Sequence, residues 1–442
     1  MIALARPAPA NGRLARAFAA VRARASVYAC GILVTFALAP GLRRLVDWKT
    51  GFASISLVSA LPLVAMFPAA YALIVTTRLK RVDRRLLFAA WLWFGGFAYA
   101  YAIGIFAGNL LPATYTFVEF VLPLCVGLWA AASRETIPLF YERFASVLLA
   151  VAAVLGAYAF YQFASPPPWD LAWMEQTKYV SIGIAAPFQF RPFSTMNAPG
   201  PFGDLLAAAI LFNLPRMRGA NVLRIAQLAI AVAALALTMV RSEWIAVAVG
   251  AVAYTVLSPG KFRNLSIMGV LALVVIVFSA NASTLLGSSQ AGYDVQRRFE
   301  TFTDLDADTS YRERERYFGQ ALTTAETTPT GAGLGVLGTA AKLGAAGATV
   351  DFDNGYIARF TEMGYFGLAC YLATMLFAFA LAVARWRAVS RAGSRDEAAL
   401  AAACVSVQAA LLFLDLSSDH HNALNGLFFW LAVVMSVPAR AA

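Results

Sequence analysis

The sequence turns from polar to hydrophobic at residues 351–368, which read DFDNGYIARFTEMGYFGL. These residues close a polar interval that starts near residue 288, and they open a long apolar run. Polar residues at such a junction are expected where water meets lipid, because a charged side chain is costly in the hydrocarbon core. A functional site accessible to water is therefore expected in this interval and at the helix ends around it.

Composition places the chain among polytopic membrane proteins. Of its 442 residues, 60% are hydrophobic and 13% are charged, and the mean hydropathy is +0.67. Apolar runs of roughly 17 to 25 residues predict an all-α fold with about twelve membrane-spanning helices. The predicted spans lie near 26–46, 52–77, 86–107, 111–132, 144–165, 200–215, 222–240, 242–258, 264–287, 356–384, 398–416 and 422–438.

Basic residues set the predicted orientation. The clusters at 78–85 and 385–395 fall inside the cell when both termini are cytoplasmic, as the positive-inside rule requires. Arg43, Arg44 and Lys49 fall in a predicted outer loop and oppose this orientation, but the first cluster outweighs them. The predicted domains are a cytoplasmic basic tail, 1–25, and a single membrane domain, 26–442, which includes a periplasmic loop at 288–355.

The net charge of +11 follows from this topology, because basic loops face anionic lipid. We therefore expect membrane lipid, and no nucleic acid, as a partner of the basic surface. All cysteines fall in predicted spans, where they serve as packing residues without a disulfide framework. They are Cys30, Cys125, Cys370 and Cys404.

Two motifs in the polar interval match known binding patterns incompletely. Asp304, Asp306, Asp308 and Glu315 fit a calcium loop, but Thr309 stands where the sharp turn needs glycine. The GLGVLG sequence at 333–338 fits GxGxxG by letter, but no strand precedes it. We expect neither site, and no metal or cofactor.

A helix is predicted over 311–326, lying on the membrane surface. Ser310 and Glu313 have the spacing of a capping box ahead of it. Arg314 shares a helix face with Phe318 and is drawn toward the apolar side. A cation against an apolar layer needs an anion to balance its charge, which favours binding of an anionic ligand. The alternative is a solvated helix of alternating Arg and Glu.

Several motifs follow one another in an order typical of one family. Downstream they are Arg314-x-x-x-Phe318-x-x-Ala321-Leu322, Pro329-x-Gly331-x-Gly333-x-Gly335, Asp353-Asn354-Gly355-Tyr356 and Glu362-x-Gly364-x-x-Gly367; upstream they are Phe190-Arg191-Pro192, Asn197-Ala198-Pro199 and Val240-Arg241. Together, over roughly 187–370, they resemble the O-antigen ligase and polymerase superfamily. The resemblance implies about twelve spans with the large outer loop between the ninth and tenth.

The resemblance implies a membrane glycosyltransferase of the bacterial inner membrane whose site faces the periplasm. Ligases of this family typically carry His-Asn where this chain has Asp353-Asn354. The expected function is therefore polymerisation of undecaprenyl-diphosphate-linked repeat units, with a flippase and a chain-length regulator as further partners. An O-antigen ligase that transfers glycan to lipid A core or protein is the alternative within the family. A secondary transporter is the alternative from another class, although the two equivalent halves expected of one are not visible.

Arginines are the expected ligands of the leaving diphosphate, because a guanidinium fork matches two phosphate oxygens and stays charged. Arg191, Arg241 and Arg314 lie at the predicted outer side, and Arg359 lies one turn into the tenth span. Arg359 has an alternative partner in Glu362 at i, i+3. Grouped together, these arginines would stabilise the departing diphosphate without a metal.

The base that takes the proton of the acceptor hydroxyl has several candidates. Asp353 is one, and its alternative role is the N-cap of the tenth helix. Glu362 is another, with neutralisation of Arg359 as its alternative. His420 and His421 are the only histidines and either titrate at the site or are solvated loop residues. Within spans, Glu119, Asp204 and Asp415 are functional or paired by default.

The first prediction concerns topology. Reporter fusions at Ala340 should be extracytoplasmic, and fusions near Arg81 and Gly393 should be cytoplasmic, because the basic clusters stay inside. Alkaline phosphatase and green fluorescent protein activities of these fusions measure the two sides. A cytoplasmic Ala340 would contradict the position of the site.

Overall fold

The structure is a computed structural model that describes residues 25–53, 56–76, 78–133, 135–177, 182–259, 319, 323, 327–344, 354–419 and 421–437. Its described elements are helical, apart from an isolated bridge between Gly183 and Phe190. Within these ranges, seven helices are long and apolar enough to cross a membrane. The all-α membrane class is confirmed, whereas the total of about twelve spans and the position of the large loop stay predictions.

The α-helices are numbered in chain order. They are α1 (Ala25–Thr50), α2 (Leu61–Thr76), α3 (Arg84–Phe106), α4 (Leu110–Ala131), α5 (Ile137–Ala164), α6 (Pro168–Thr177), α7 (Pro199–Asn213), α8 (Val222–Leu237), α9 (Arg241–Leu257), α10 (Gly355–Arg391), α11 (Arg395–Leu414) and α12 (Ala423–Met435). Short 3₁₀ turns lie at Leu57–Ala60, Arg78–Arg81, Leu214–Met217 and Gly338–Leu343.

The predicted spans overlap these helices, except that 264–287 lies outside the described residues. One boundary is corrected at the start of the chain: α1 continues to Thr50, so Arg43, Arg44 and Lys49 lie in its last turns and not in a loop. The helix extends through these charges because Arg43 pairs with Asp47 one turn later in the same helix, and Arg44 pairs with Asp170 of α6. The fifth helix begins earlier than predicted, at Ile137, and the tenth continues to Arg391.

The helices form one bundle with two distinct ends. Contacts between Ser26 and Glu135, and between Trp386 and Leu257, join helix ends at one of them. We call it the basic end, because the basic residues at helix termini and turns gather there. They include Lys80, Arg84, Arg85, Arg143, Arg216, Arg218, Arg224, Arg385, Arg387, Arg391 and Arg395. The opposite end carries the turns that follow α1, α3, α5, α8 and α11, and we call it the site end.

The centre of the bundle is α12. Every residue from Leu424 to Met435 is buried, because α12 is apolar on all sides and packs against α4 and α11. Its 13 residues rise about 20 Å, which is less than the roughly 30 Å of a hydrocarbon core. Around it, α3 packs on α10, and α9 packs on α11. Short central helices leave room for other segments at the site end.

A glycine-rich segment at 327–335 fills part of that room. It enters a break in α10 at Gly364, where φ is 60° and ψ is −166°. The break frees two carbonyl oxygens of α10: Thr361 O accepts the N–H of Ala332 at 2.9 Å, and Glu362 O accepts that of Gly333 at 3.0 Å. On the other side, Leu334 N donates to Ala100 O of α3 at 3.1 Å. Irregular backbone is thereby satisfied inside the bundle, as a membrane protein requires.

Glycine is needed in this segment because its backbone touches the backbone of two helices. A Cβ at Gly333 would lie 2.4 Å from Gly104 N, and a Cβ at Gly335 would lie 2.3 Å from Pro112 C. Both residues also have positive φ, 90° and 82°. The GLGVLG motif therefore has a packing role in a helix bundle, and the described residues directly before it, 327–332, form no strand.

The second prediction compares two glycines of α3. A Cβ at Gly104 would lie 2.9 Å from Leu334 O, whereas a Cβ at Gly95 meets nothing within 4 Å. Gly104→Ala should destabilise the protein by roughly 1 to 3 kcal/mol, and Gly95→Ala should be neutral or stabilising because alanine favours helix. Thermal unfolding of the purified proteins measures the difference. Equal melting temperatures would contradict the packing of the glycine-rich segment on α3.

Candidate active site

The predicted site residues divide into two groups. Five of them are described, and they lie at or near the site end: Arg191, Arg241, Arg359, Glu362 and His421. Asp353, His420 and Arg314 lie outside the described residues. So do the calcium-like loop and the predicted helix at 311–326, apart from Gly319 and Thr323.

Arg359 is enclosed by carboxylates. It lies one turn into α10 and is 3% exposed. Its Nη1 lies 2.6 Å from Oε2 of Glu362, and its Nη2 lies 2.8 Å from Oδ2 of Asp419 in the loop between α11 and α12. Its guanidinium carbon lies 4.5 Å from the ring centre of Phe120 on α4. The pairing with Glu362 predicted from the i, i+3 spacing is confirmed, and the cation is balanced by two anions.

Glu362 uses both carboxylate oxygens. While Oε2 meets Arg359, Oε1 accepts the backbone N–H of Gly335 at 2.9 Å, and Leu337 contributes a further backbone hydrogen bond. The residue is 1% exposed. Glu362 therefore joins the glycine-rich segment to Arg359, and a substrate hydroxyl has no open path to its oxygens in this arrangement.

His421 lies in an aromatic pocket and not in a solvated loop, so that alternative is wrong. It is 0% exposed, and its ring centre lies 4.8 Å from that of Phe429. Its Nδ1 lies 3.0 Å from Oδ1 of Asp415, and Oδ2 of Asp415 accepts the hydroxyl of Tyr371 at 2.6 Å. His421 is buried because it pairs with the carboxylate of Asp415, the C-cap of α11.

The start of α10 is held against the end of α11. Asn354 is the N-cap, and its side-chain oxygen accepts the N–H of Ile357 at 3.1 Å. Gly355 N donates to Asp415 O at 2.7 Å, and a Cβ on Gly355 would lie 2.8 Å from Asp415 Oδ1. The alternative role of Asp353 as the N-cap of this helix is wrong, because Asn354 occupies that position.

A second cluster of carboxylates lies on the other side of the start of α12. Asn425 Nδ2 donates to Oδ2 of Asp204 at 2.7 Å, and Asp204 also hydrogen-bonds the buried carboxyl group of Glu243. A hydrogen bond between two carboxyl groups requires that one of them carries a proton. Asp204 and Asp415 are thus paired within the bundle, and Glu119 is paired with Tyr115, as the cost of burying a charge predicts.

The structure brings Arg191 and Arg241 to one turn. Arg191 Nε donates to the carbonyl of Thr238 at 2.9 Å. Thr238 is the C-cap of α8, and Arg241 is the first residue of α9. Met239 between them has a φ of 56°, which makes the turn tight. Two of the arginines predicted to bind diphosphate therefore lie around the α8–α9 turn.

Sequence reasoning missed a buried network that holds the segment carrying Arg191. Arg44 Nη1 lies 2.7 Å from Oδ1 of Asp170, and its Nη2 donates to Ser194 O at 2.5 Å. Gln162 bonds Asp170 Oδ2 at 2.7 Å and accepts the N–H groups of Phe193 and Ser194. Burial raises the pKa of the Asp170 carboxyl, and the Arg44 guanidinium opposes that shift.

A signal for this network was present in the sequence. Extending the first span to Thr50 would have placed Arg44 inside a membrane-spanning helix, where a charged side chain requires a partner. In the described part of the chain, no three or more His, Cys, Asp and Glu side chains converge as metal ligands.

The O-antigen ligase family model matches residues 226–372. The match confirms the resemblance to the O-antigen ligase and polymerase superfamily. It spans α8, α9, the glycine-rich segment and the first half of α10, and so includes Arg241, Arg359 and Glu362. Arg191 and the α11–α12 loop lie outside it. A comparison with curated proteins gives no match.

The third prediction separates the cap of α10 from its neighbour. Asn354→Ala should lower the stability by roughly 1 kcal/mol, because it removes the cap of Ile357 N, whereas Asp353→Ala should leave the stability of α10 unchanged. Thermal unfolding of both purified variants measures this. A greater loss in Asp353→Ala than in Asn354→Ala would contradict the observed cap.

Proposed function

We propose that this chain, whose residues 226–372 match the O-antigen ligase family model, polymerises undecaprenyl-diphosphate-linked repeat units at the periplasmic face of a bacterial inner membrane. In this reaction a hydroxyl of one glycan attacks the anomeric carbon of a second, lipid-linked glycan. The bond from that carbon to the diphosphate breaks, and undecaprenyl diphosphate leaves as an anion. A base takes the proton of the attacking hydroxyl.

The observation that supports the proposal is the position of both Arg191 and Arg241 at the α8–α9 turn. The bond from Arg191 Nε to Thr238 O fixes the plane of that guanidinium at the site end. Arginine is suited to a diphosphate because it binds two oxygens at once and keeps its charge when desolvated. We assign the leaving diphosphate to these two residues, with Arg314 as a third ligand predicted from the sequence alone.

Arg359 has a different task in this proposal. Its charge is already met by Glu362 at 2.6 Å and Asp419 at 2.8 Å, so binding a dianion there would require breaking buried ion pairs. Breaking such a pair costs roughly 3 to 5 kcal/mol. We therefore propose that Arg359 is a positioning residue, which fixes the α11–α12 loop and, through Glu362, the glycine-rich segment.

The burial of Glu362 and His421 leaves Asp353 and His420 as the candidates for the base. Both Glu362 oxygens are bonded, and His421 is fully buried. We propose Asp353 as the base, with His420 as the rival. Asp353 precedes the N-cap Asn354, whose Nδ2 donates to Leu416 O in the α11–α12 loop at 3.3 Å. Because Asn354 caps the helix, the carboxylate of Asp353 can take the proton of the acceptor hydroxyl.

The choice between polymerase and ligase rests on the residue before Asn354. Asp353 stands where ligases of the family typically carry histidine, which favours the polymerase. A ligase would make a single transfer to lipid A core or protein. The products of a reconstituted reaction distinguish the two, because only a polymerase converts lipid-linked repeat units alone into a ladder of chain lengths.

The fourth prediction tests the diphosphate site in that reconstituted reaction. Arg241→Lys keeps the charge but loses the fork, and Arg241→Ala loses both. Polymer formation should fall about tenfold or more in each, because a charge-assisted hydrogen bond contributes roughly 1.5 to 3 kcal/mol. Arg395→Ala, at an exposed position of the basic end, should be unaffected.

In the same assay, Asp353→Asn should lose most of its activity while His420→Gln keeps it. Full polymer formation by Arg241→Ala, at equal protein in the membrane, would remove Arg241 from the site. Loss of activity in His420→Gln but not in Asp353→Asn would transfer the base role to His420.

A further inference from the structure

A cavity of about 200 Å³ opens at the site end, between the last turns of α1, the turn that follows them, and α6. It is separate from the residues proposed for the reaction. Aromatic and polar side chains share its lining, among them Asp47, Trp48, Phe52, Trp169, Trp173 and Gln176. Ligand pockets for drug-sized molecules measure about 300 to 1,000 Å³, so this cavity suits a smaller group.

The rings of the cavity form two pairs. Trp48 and Trp169 have ring centres 6.0 Å apart at an interplanar angle of 64°, and Phe52 and Trp173 have centres 6.0 Å apart at 53°. Trp48 is 39% exposed and Phe52 is 42% exposed. Aromatic faces carry partial negative charge and attract the weakly positive C–H groups of a ligand. Accessible ring faces are thus present on the cavity wall.

The charges of the cavity are balanced, which limits the ligand. Asp47 Oδ2 lies 3.2 Å from Arg43 Nε, and Arg44 Nη1 lies 2.7 Å from Asp170 Oδ1. Each charged residue that lines the cavity therefore has an opposite charge beside it. The next cation, Lys49, lies over the ring of Trp48, with its Nζ 4.1 Å from the ring centre. An acyl chain would desolvate the Asp47 carboxylate without replacing its hydrogen bonds. A neutral molecule with C–H faces and hydroxyl groups fits both constraints.

Two side chains of the cavity wall hydrogen-bond the segment that carries Arg191. Arg44 Nη2 donates to Ser194 O at 2.5 Å, and Trp173 Nε1 donates to Asn197 O at 3.3 Å. A ligand in the cavity therefore contacts two side chains, Arg44 and Trp173, that bond the chain segment carrying Arg191. Binding energy gained there is available to orient the rest of a long ligand at the reacting bond.

We propose that this cavity binds one neutral sugar ring of the glycan on which the protein acts, stacked on Trp48 and hydrogen-bonded by Gln176. The identification of the ligand as a glycan rests on the proposed function. The ring is remote from the reacting bond, so the cavity is a binding subsite that holds a long chain in place. Asp47 and Gln176 supply the acceptor and donor groups that hydroxyls need.

The test uses the full chain in nanodiscs. The probe is the oligosaccharide mixture freed by mild acid from the polyprenyl-diphosphate lipids of the producing bacterium, labelled at the reducing end. Fluorescence anisotropy measures its binding to wild type, Trp48→Ala, Trp48→Phe, Gln176→Ala and a control, Trp91→Ala. Trp91 is a 65% exposed tryptophan on α3, outside the cavity.

Trp48→Ala and Gln176→Ala should each weaken binding roughly fivefold or more, Trp48→Phe should retain most of it, and Trp91→Ala should equal wild type. Unchanged binding in Trp48→Ala and Gln176→Ala, with unchanged melting temperatures, would overturn the subsite. A loss of melting temperature in Trp48→Ala with unchanged binding would overturn it too, because the ring would then be a membrane anchor.

A separate outcome concerns the proposed function. Arg241→Ala should bind the oligosaccharide like wild type while losing polymer formation from lipid-linked donor. If wild type binds the probe through Trp48 but forms no polymer, the subsite stands and the polymerase assignment fails. If polymer forms and Trp48→Ala changes neither binding nor the KM for donor, the assignment stands and the subsite fails.

Discussion

The fold at the site end depends on one buried guanidinium. Arg359 lies between Glu362 and Asp419, and the second oxygen of Glu362 takes the N–H of Gly335. Burying a lone cation in a medium of low dielectric constant costs much free energy. A cation between two carboxylates costs less when further hydrogen bonds satisfy the remaining lone pairs and N–H groups. Through these bonds, three segments that are distant in sequence hold one another: the start of α10, the α11–α12 loop and the glycine-rich segment.

The break at Gly364 makes that arrangement possible. An uninterrupted helix would use the carbonyls of Thr361 and Glu362 internally, but here they bind the glycine-rich segment, and Tyr365 N donates to Pro329 O instead. Helices interrupted in this way are used by membrane transporters to build sites within the bilayer. In this protein the interruption lets the backbone of residues 332–334 bond α10 and α3, and Arg359, which precedes it in α10, packs on Phe120 of α4.

Much of this fold could be predicted from local patterns, because apolar runs of sufficient length have few alternatives to helix in lipid. The pairing of Arg359 with Glu362 was equally visible, since i, i+3 neighbours meet on a helix. Features that depend on partners distant in the sequence could not be predicted in this way. The extension of α1 through Arg44 requires Asp170, and the burial of His421 requires Asp415 and Phe429. At the start of α10, Asp353 and Asn354 are both good caps, and propensity alone could not choose between them.

We infer that Arg359 anchors the site end of the fold through its pair with Glu362. A double-mutant cycle of Arg359→Met and Glu362→Gln, followed by chemical unfolding of purified protein, tests it most directly. Each single variant should lose roughly 3 to 5 kcal/mol. The double variant should lose clearly less than the sum, with a coupling of about 1 to 3 kcal/mol. Additive losses within about 0.5 kcal/mol would contradict the account, because they would show that the two side chains act independently.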